Sequence, residues 1–233
     1  MRSLFRRLGY WWHNNQPKHT HDMGIGNDAS SPLLLMVEGR HDMEFLRRIS
    51  GVLNRHDPVL PDLKNAERMG AIVFIPVGGG ALWSWASRLA QLRLPEFHLY
   101  DRETSPETES RQLVVQAINV RPKCRAALTN KRGLENYLHP RAIQEAGGIE
   151  VDFTDDDSVA DVVARAGHRI SGGDTPWEEL TSRARKRQRE RAKRWLNTRA
   201  VECMSAQRLN DRDPQGEIRS WLEAIASLLN RAS

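Results

Sequence analysis

The chain has 233 residues, of which 39% are hydrophobic, and it carries a formal net charge of +5. This length can bury a substantial core and leaves room for one domain with an extension, but not for two large domains. No apolar run approaches the roughly 18 residues of a membrane span, whereas the positive charge favours a polyanionic partner such as nucleic acid.

The two cysteines, Cys124 and Cys203, lie far apart in the sequence and lack the spacing of a metal site. We therefore expect reduced thiols and a cytoplasmic protein. The basic start of the chain is not followed by the apolar core of a signal peptide, so neither secretion nor a membrane partner is expected.

The first half of the chain predicts an alternation of strands and helices. Residues 1–31 lack a sustained hydrophobic period and predict a flexible basic tail. Apolar runs then predict strands at Leu33–Glu38, Ala71–Pro76, Phe97–Tyr100 and Arg125–Thr129. Amphipathic segments predict helices between them at His41–Asn54, Ala81–Leu92 and Pro106–Ile118. Such an alternation indicates an α/β fold, with a parallel central sheet flanked by helices.

The second half predicts mainly helices. A short helix should end near Gly147-Gly148, and the capping-box pattern at Thr175–Glu178 predicts a long helix that continues to about residue 207. Apolar residues at helical spacing between Glu217 and Leu229 predict a last helix that packs on the sheet. We therefore divide the chain into the tail 1–31, an α/β domain at 32–148 and a mainly helical C-terminal extension at 149–233.

Acidic residues follow two of the predicted strands at the point where each strand ends. Glu38-Gly39 ends the first strand, Asp42 comes four residues after Glu38, and Asp101 and Glu103 follow the third strand. Ligands of open parallel sheets gather beyond the carboxyl ends of the strands, so these four carboxylates are expected to converge there and bind a divalent cation. Taken singly, each acid is equally compatible with a helix cap or a turn.

These residues resemble the Toprim domain of topoisomerases, primases and nucleases, whose signature is a strand-end Glu-Gly and a later Asp-x-Asp. Here the second half is Asp101-Arg102-Glu103, which keeps both carboxylates. The chain is most similar to the nuclease Toprim domain of the overcoming-lysogenization-defect (OLD) family, over about residues 33–140. The blocks that carry this resemblance are Val37–Asp42 with Phe45-Leu46, Ile75–Gly79, Asp101–Glu103 and Arg132–Leu138.

The resemblance implies a Rossmann-like Toprim fold and a metal-dependent endonuclease, with phage defence as the expected setting. The implied ligands of one or two Mg²⁺ or Mn²⁺ ions are Glu38, Asp42, Asp101, Glu103 and Glu135. The implied catalytic residues are Glu38, Asp101, Glu103 and Lys193, of which Lys193 lies in a segment similar to a later OLD block and is expected to stabilise the phosphate. For Glu135, an exposed position in the first turn of a short helix is the alternative.

Three glycines, Gly78-Gly79-Gly80, follow the second predicted strand. No Lys-Ser/Thr follows them, so they do not form a triphosphate-binding loop. Either they form a plain turn or they let the backbone approach a bound phosphate closely. Because this chain has no such loop whereas full-length OLD nucleases carry an ATPase domain, a separately encoded ATPase is an expected partner.

A strongly basic segment lies between Thr181 and Arg199, where nine Lys or Arg stand against the single acid Glu190. Such a stripe predicts phosphate contacts, whose affinity falls with salt concentration, although a solvated helix face is the alternative. The candidate nucleic-acid-binding residues are Arg185, Lys186, Arg187, Arg189, Arg191 and Arg194. DNA is the favoured partner, RNA is the alternative, and a homodimer stays open.

Hydrolysis of nucleic-acid phosphodiester bonds is the favoured function. Toprim topoisomerases cut with a tyrosine, but this chain has only three tyrosines and no second domain for strand passage. Two alternatives stay open. One is a nucleic-acid-binding or regulatory Toprim module whose carboxylates bind Mg²⁺ without catalysis, and the other is an effector that is inactive until the separately encoded ATPase releases it.

Overall fold

The computed structural model describes residues 31–172 and 175–230, so the predicted tail, apart from residue 31, lies outside the described residues. A sheet of four strands forms the centre, with β1 at Leu33–Val37, β2 at Ile72–Pro76, β3 at Glu96–Tyr100 and β4 at Cys124–Leu128. All neighbouring strands pair in parallel, in the order β2-β1-β3-β4. The predicted parallel α/β fold is therefore confirmed, together with all four predicted strands.

Helices flank the sheet and make up most of the C-terminal region, as predicted. In the described part of the chain they are α1 Arg40–His56, α2 Leu63–Arg68, α3 Leu82–Leu89, α4 Glu107–Asn119, α5 Pro140–Gly147, α6 Val159–Ile170, α7 Ser182–Trp195, α8 Ala206–Arg212 and α9 Glu217–Asn230. The sequence interpretation missed α2, which is short and is capped by Asp62, whose carboxylate accepts the amides of Lys64 and Asn65. It also missed α6. None of the helices described is long and apolar enough to cross a membrane.

Two apolar layers cover the two faces of the sheet. Alternate residues of β1 point to opposite faces, as the two-residue period of a strand requires. Leu33, Leu35 and Val37 join a first layer with α1 and the C-terminal helices, whereas Leu34 and Met36 join a second layer with α3 and α4. The buried side of α9 belongs to the first layer and contacts β3 and β4, which confirms the predicted packing of the last helix on the sheet.

The long helix predicted from Thr175 to about residue 207 is wrong. The proposed capping box is followed only by a short 3-10 turn at Trp177–Glu179, and α7 starts at Ser182, where the hydroxyl of Thr181 accepts the amide of Ala184. After α7, a π-helical turn at Leu196–Ala200 follows, and the chain leaves the helix before α8 begins. Burial of Trp177, 5.7 Å from the His168 ring, stabilises this early turn against continuation of the helix.

Strand β3 carries a buried polar network on alternate positions of one face. Glu96, His98 and Tyr100 are each at most 1% exposed. The ring of His98 lies between its two neighbours, with Nε2 2.8 Å from Glu96 Oε2 and Nδ1 2.6 Å from the Tyr100 hydroxyl. Arg121 pairs with the other carboxylate oxygen of Glu96 at 2.5 Å. Every polar group of this network therefore has a partner, as burial requires.

The strand order reverses between β1 and β3. The chain runs from β1 outward to β2, and then returns past β1 to form β3 and β4 on the other side. In open α/β sheets the crevice beyond the carboxyl ends of the strands at such a reversal is the place where ligands bind. Here the reversal places Glu38, which follows β1, beside Asp101, which follows β3.

Candidate metal centre

Glu38 and Asp101 are joined directly across the strand reversal. The backbone amide of Asp101 donates to Glu38 Oε1 at 3.0 Å. Arg111, on α4, pairs with the same carboxylate at 2.6 Å and also donates to the backbone carbonyl of Asp101. Asp101 is almost fully buried and Glu38 is half-buried. The ends of the two central strands thus carry two carboxylates whose positions are fixed by hydrogen bonds.

Asp42 lies in the first turn of α1, directly after this point. Its Oδ2 accepts the backbone amide of Gly39 at 2.8 Å, so it caps the helix, which was the plain alternative for this residue. It is also only 5% exposed and close enough to raise the pKa of both Glu38 and Asp101 through charge repulsion. Asp42 therefore belongs to the carboxylate cluster as well as to the helix cap.

The loop after β4 brings Glu135 to the same place. The amide of Leu134 donates to Asp101 Oδ1 at 3.2 Å, and Glu135 is 7% exposed rather than solvent-facing. At Gly133, an added Cβ would lie 3.2 Å from Asp101 Oδ2 and 3.5 Å from Glu135 Oε2. A glycine is therefore needed to let this loop approach the two carboxylates closely.

The glycine triplet after β2 approaches the cluster from another side. Gly78 has a φ of 72°, a left-handed conformation that suits glycine, and its amide donates to the backbone carbonyl of Glu38 at 2.8 Å. A Cβ on Gly79 would lie only 3.0 Å from Glu38 Oε2. The triplet thus forms a tight turn, and it also lets the backbone pass directly beside a cluster carboxylate.

Burial changes the acidity of the three carboxylic acids at the centre. It raises the pKa of Glu38 to about 7, against the opposing effect of Arg111, and raises the pKa of Asp42 to about 6. The pKa of Asp101 lies well above its ordinary value, again mainly because of burial and then because of Asp42. Charges held together without water repel each other, so the cluster resists full ionisation unless more positive charge is supplied.

Lys193 reaches this cluster from α7. Its Nζ lies 3.7 Å from Glu135 Oε1. The nearby carboxylates, Glu135 first and then Asp101 and Asp42, raise the pKa of the ammonium group, although burial acts in the opposite direction. The structure therefore brings Lys193, more than 50 residues away along the chain from Glu135, to the same site as the predicted ligands.

Glu103 is the outermost of the predicted residues. Its side chain is 37% exposed, and its carboxylate lies 3.7 Å from the guanidinium of Arg132. Its backbone has a φ of 56°, the left-handed region that costs energy for a residue with a Cβ, and its amide donates to the carbonyl of Arg132 at 3.0 Å. The loops after β3 and β4 are thus tied together here, with the Glu103 carboxylate at the edge of the cluster.

Three residues at the site escaped the sequence interpretation. Arg111 gave no signal, because it lies on an ordinary amphipathic helix. His41 is 8% exposed, and its pKa is lowered by burial and then by Lys193; it lies inside the first block of the resemblance. Asn197 is fully buried in the π-helical turn, where its Nδ2 donates to Glu135 Oε1 at 2.6 Å and to the Lys193 carbonyl at 2.8 Å. It follows Lys193 by four residues, in the segment already singled out.

The donors at this site suit a hard divalent cation. Glu38, Asp42, Asp101 and Glu135 are all oxygen donors, and two cations, Arg111 and Lys193, face them. Full ionisation would leave an excess of negative charge, which Mg²⁺ or Mn²⁺ is able to balance. Within residues 31–172 and 175–230, no three His, Cys, Asp or Glu side chains already stand in metal-binding geometry, so the carboxylates would have to move to coordinate an ion.

Part of the basic stripe forms an exposed face of α7. Arg187, Arg191 and Arg194 are exposed and recur at helical spacing, and they pair with no carboxylate in the part of the chain that the structure describes. Lys186 is also exposed and Arg185 is half-buried, whereas Arg189 pairs with Asp161 of α6. Five of the six candidate nucleic-acid-binding residues thus have charges that are not matched by a described acid.

Neither a scan against models of known protein families nor a search of curated proteins found a match. Among solved structures, the chain is similar to the C-terminal region of the Xanthomonas campestris pv. campestris OLD protein. The TM-score is 0.46 and the sequence identity is 15%, over 86% of this chain and 94% of that chain. This likeness is too loose to carry the role of any residue from that protein to this chain.

Proposed function

We propose that this protein is a divalent-metal-dependent nuclease of the Toprim type that hydrolyses phosphodiester bonds of nucleic acids. The observation that carries the proposal is the carboxylate cluster at the strand reversal, where burial holds the pKa of Glu38, Asp42 and Asp101 above ordinary values. Perturbed acids in a cleft are typical of functional sites, and α7, the helix that carries the exposed basic residues, also brings Lys193 to the same cluster.

In this proposal Glu38, Asp42, Asp101 and Glu135 would hold Mg²⁺ or Mn²⁺, with Glu103 as a ligand at the edge. The bound ion would supply Lewis-acid stabilisation of the charge that develops on the phosphate. Other residues prepare the site, because Arg111 fixes Glu38 and Asn197 orients Glu135. The ammonium of Lys193 would donate a charge-assisted hydrogen bond to a phosphate oxygen.

The arginines of α7 would hold the nucleic-acid backbone beside the cluster. Arg187, Arg191 and Arg194 have no acidic partner among the described residues, so their charges are available to phosphates. Contacts of this kind bind without sequence information. DNA is the favoured substrate in the proposal. RNA stays the alternative, because phosphate contacts alone do not distinguish the two.

The test is to incubate the purified protein with supercoiled plasmid, single-stranded DNA and transfer RNA, in Mg²⁺, Mn²⁺ or chelator. We expect metal-dependent cutting that Asp101→Asn lowers by about a thousand-fold or more, since a misplaced ion forfeits several kcal/mol of stabilisation. The matched control is Glu150→Gln, which neutralises an exposed carboxylate outside the cluster. Cutting that survives in Asp101→Asn would contradict the proposal.

One observation favours a second function, that of a nucleic-acid-binding module without catalysis. Glu103 stands at the edge of the cluster beside Arg132, and its side chain is 37% exposed, so the last member of the Asp-x-Glu pair is held less firmly in the cluster than Asp101. Binding of nucleic acid without cutting in either metal would support this alternative.

The expected partners and biological role of the protein rest on the sequence alone. A separately encoded ATPase that releases the activity, a role in phage defence and a homodimer all stay predictions. A cytoplasmic location belongs to the proposal as well; it agrees with the two cysteines, which are both free, Cys124 being buried and Cys203 half-buried. Cutting that appears only after an ATPase-containing extract is added would favour the released-effector alternative.

A further inference from the structure

A cavity of about 520 Å³ opens beside the carboxylate cluster, between the start of α3 and the first half of α4. Its walls include Gly79, Gly80, Trp83, Glu107 and Arg111. Two of these residues also contact the cluster, because Arg111 pairs with Glu38 and the Gly79 backbone lies against the same carboxylate. A molecule in this cavity would therefore lie next to the reacting phosphate of the proposed nuclease.

Trp83 is the unusual residue of this wall. Its side chain is 59% exposed, whereas Trp85 on the same helix packs against the second apolar layer. An exposed indole in the wall of a concave site offers a flat apolar face on which a ligand can stack. The cavity volume lies within the range of about 300–1,000 Å³ that is usual for small-ligand sites.

The charges of the wall favour a neutral, flat ligand over a second phosphate. Arg111 is already neutralised by Glu38 at 2.6 Å, and the other ionisable residue of the wall, Glu107, is an acid that would repel an anion. A nucleobase is both neutral and flat. It stacks on an indole and offers amino groups to a carboxylate.

We infer that this cavity is a base-stacking subsite, in which Trp83 stacks on the base of a nucleotide next to the scissile phosphate. This inference rests on the proposed nuclease function and gives it a substrate class. A base can lie flat on an indole only when it is unstacked from its neighbours, so the preferred substrate is single-stranded or locally unpaired nucleic acid. Arg111 connects the subsite to the cluster.

The test measures binding of a labelled oligonucleotide by fluorescence anisotropy, in the Asp101→Asn background with Mg²⁺ so that nothing is cut. We expect Trp83→Ala to weaken single-strand binding by about ten-fold, the size of one base–aromatic stack, and to leave duplex binding unchanged. Trp83→Phe keeps an aromatic face and should restore most of the affinity. Leu113→Ala is the matched control, because Leu113 is 65% exposed on α4 but does not line the cavity.

A second arm identifies the stacked base. Single abasic positions are moved along the strand; at the stacking position the missing base should weaken binding to the protein with Trp83 but not to Trp83→Ala. Equal single-strand affinity of Trp83→Ala and its parent would overturn the subsite while leaving the nuclease intact, provided that the wild-type protein cuts. A wild-type protein that binds neither single strands nor duplexes would overturn both proposals.

Discussion

Two groups of buried ionisable residues lie on or beside β3, and they differ in how their charges are balanced. In the network of Glu96, His98, Tyr100 and Arg121, burial would raise the pKa of Glu96, but hydrogen bonds from His98 and Arg121 outweigh it and the pKa is lowered. In the carboxylate cluster at the end of the same strand burial prevails, and the pKa values of Glu38, Asp42 and Asp101 are raised.

The difference is the one expected between a group that stabilises the fold and the ligand-binding group that we propose. A buried charge that is fully paired contributes to a defined fold, whereas buried charges of one sign without enough partners cost folding energy. Proteins keep such a cost at sites where a ligand supplies the missing charge. The comparison agrees with a role of the network in the stability of the sheet and with the proposed role of the cluster in binding.

The largest expected effect is a contrast between two carboxylate-to-amide substitutions. Glu96→Gln should lower the free energy of unfolding by about 3 kcal/mol, because the buried charge that pairs with Arg121 is lost and the amide nitrogen would face the donor of either His98 or Arg121 inside the core. Asp101→Asn should raise it by about 1 kcal/mol in chelator at neutral pH, because it removes a buried carboxyl group that on folding must either repel its neighbours or take up a proton. Urea unfolding of both variants measures this contrast.

Glu150→Gln, on the surface, is the reference for both substitutions. The comparison would fail if Asp101→Asn destabilised the protein as much as Glu96→Gln does. It would also fail if Glu96→Gln, at a temperature where it is folded, lost metal-dependent cutting as completely as Asp101→Asn.

The next effect is on how the free energy of unfolding depends on pH, because the contributions of the two groups change with pH in opposite directions. The pKa of Glu38 is raised from 4.5 to about 7 and that of Asp42 from 3.8 to about 6, so between these values the folded protein binds more protons than the unfolded chain. The contribution of the cluster to the free energy of unfolding therefore falls as the pH rises from about 4 to about 7. Glu96, with a lowered pKa, contributes stability that is lost as the pH falls.

Urea unfolding in chelator across this pH range checks the sign. Glu38→Gln should flatten the dependence relative to the wild type, and added Mg²⁺ should stabilise the wild type increasingly as the acids ionise. An identical pH profile in Glu38→Gln would show that Glu38 ionises in the folded protein as it does in the unfolded chain.

A smaller effect concerns Lys193, one of the two cations that face the cluster. Lys193→Gln removes a positive charge beside Glu135 and should tighten Mg²⁺ binding by about five-fold, because less repulsion opposes the ion. Cutting should fall nonetheless, since a phosphate contact is lost. Calorimetric titration with Mg²⁺ in the absence of nucleic acid measures the affinity, with the exposed neighbour Arg194→Gln as control. Unchanged Mg²⁺ affinity would place Lys193 outside the field of the ion.

The smallest effect per residue is expected for the exposed arginines Arg187 and Arg191 of α7, whose positive charges have no acidic partner among the described residues but are solvated by water. The double substitution Arg187→Gln with Arg191→Gln should reduce the slope of log affinity against log salt by about 2, with little change in protein stability. Arg55→Gln, an exposed residue near the end of α1, should leave the slope unchanged. A slope that stays constant in the double variant would remove α7 from the nucleic-acid interface.

Much of the sheet could be predicted from the sequence, because buried strands of this kind have a local sequence pattern. Continuous apolar runs such as Leu33–Val37 are buried on both faces, and each ends at a polar turn. The two substantial errors were the long helix after Thr175 and the missed helix α6. The first failed because Trp177 is buried against His168 and because the π-helical turn around Asn197 depends on a contact with Glu135, which lies 62 residues away along the chain.

The sequence by itself determined the parallel α/β architecture and the acidic residues at the strand ends, because hydrophobic period and strand-end chemistry are local properties. It did not determine which charges meet. The pairing of Arg111 with Glu38, the approach of Lys193 to Glu135 and the exposure of Trp83 beside them were decided by the tertiary structure. Such contacts join residues tens of positions apart, and only the strand order β2-β1-β3-β4 and the packing of α4 and α7 bring those residues together.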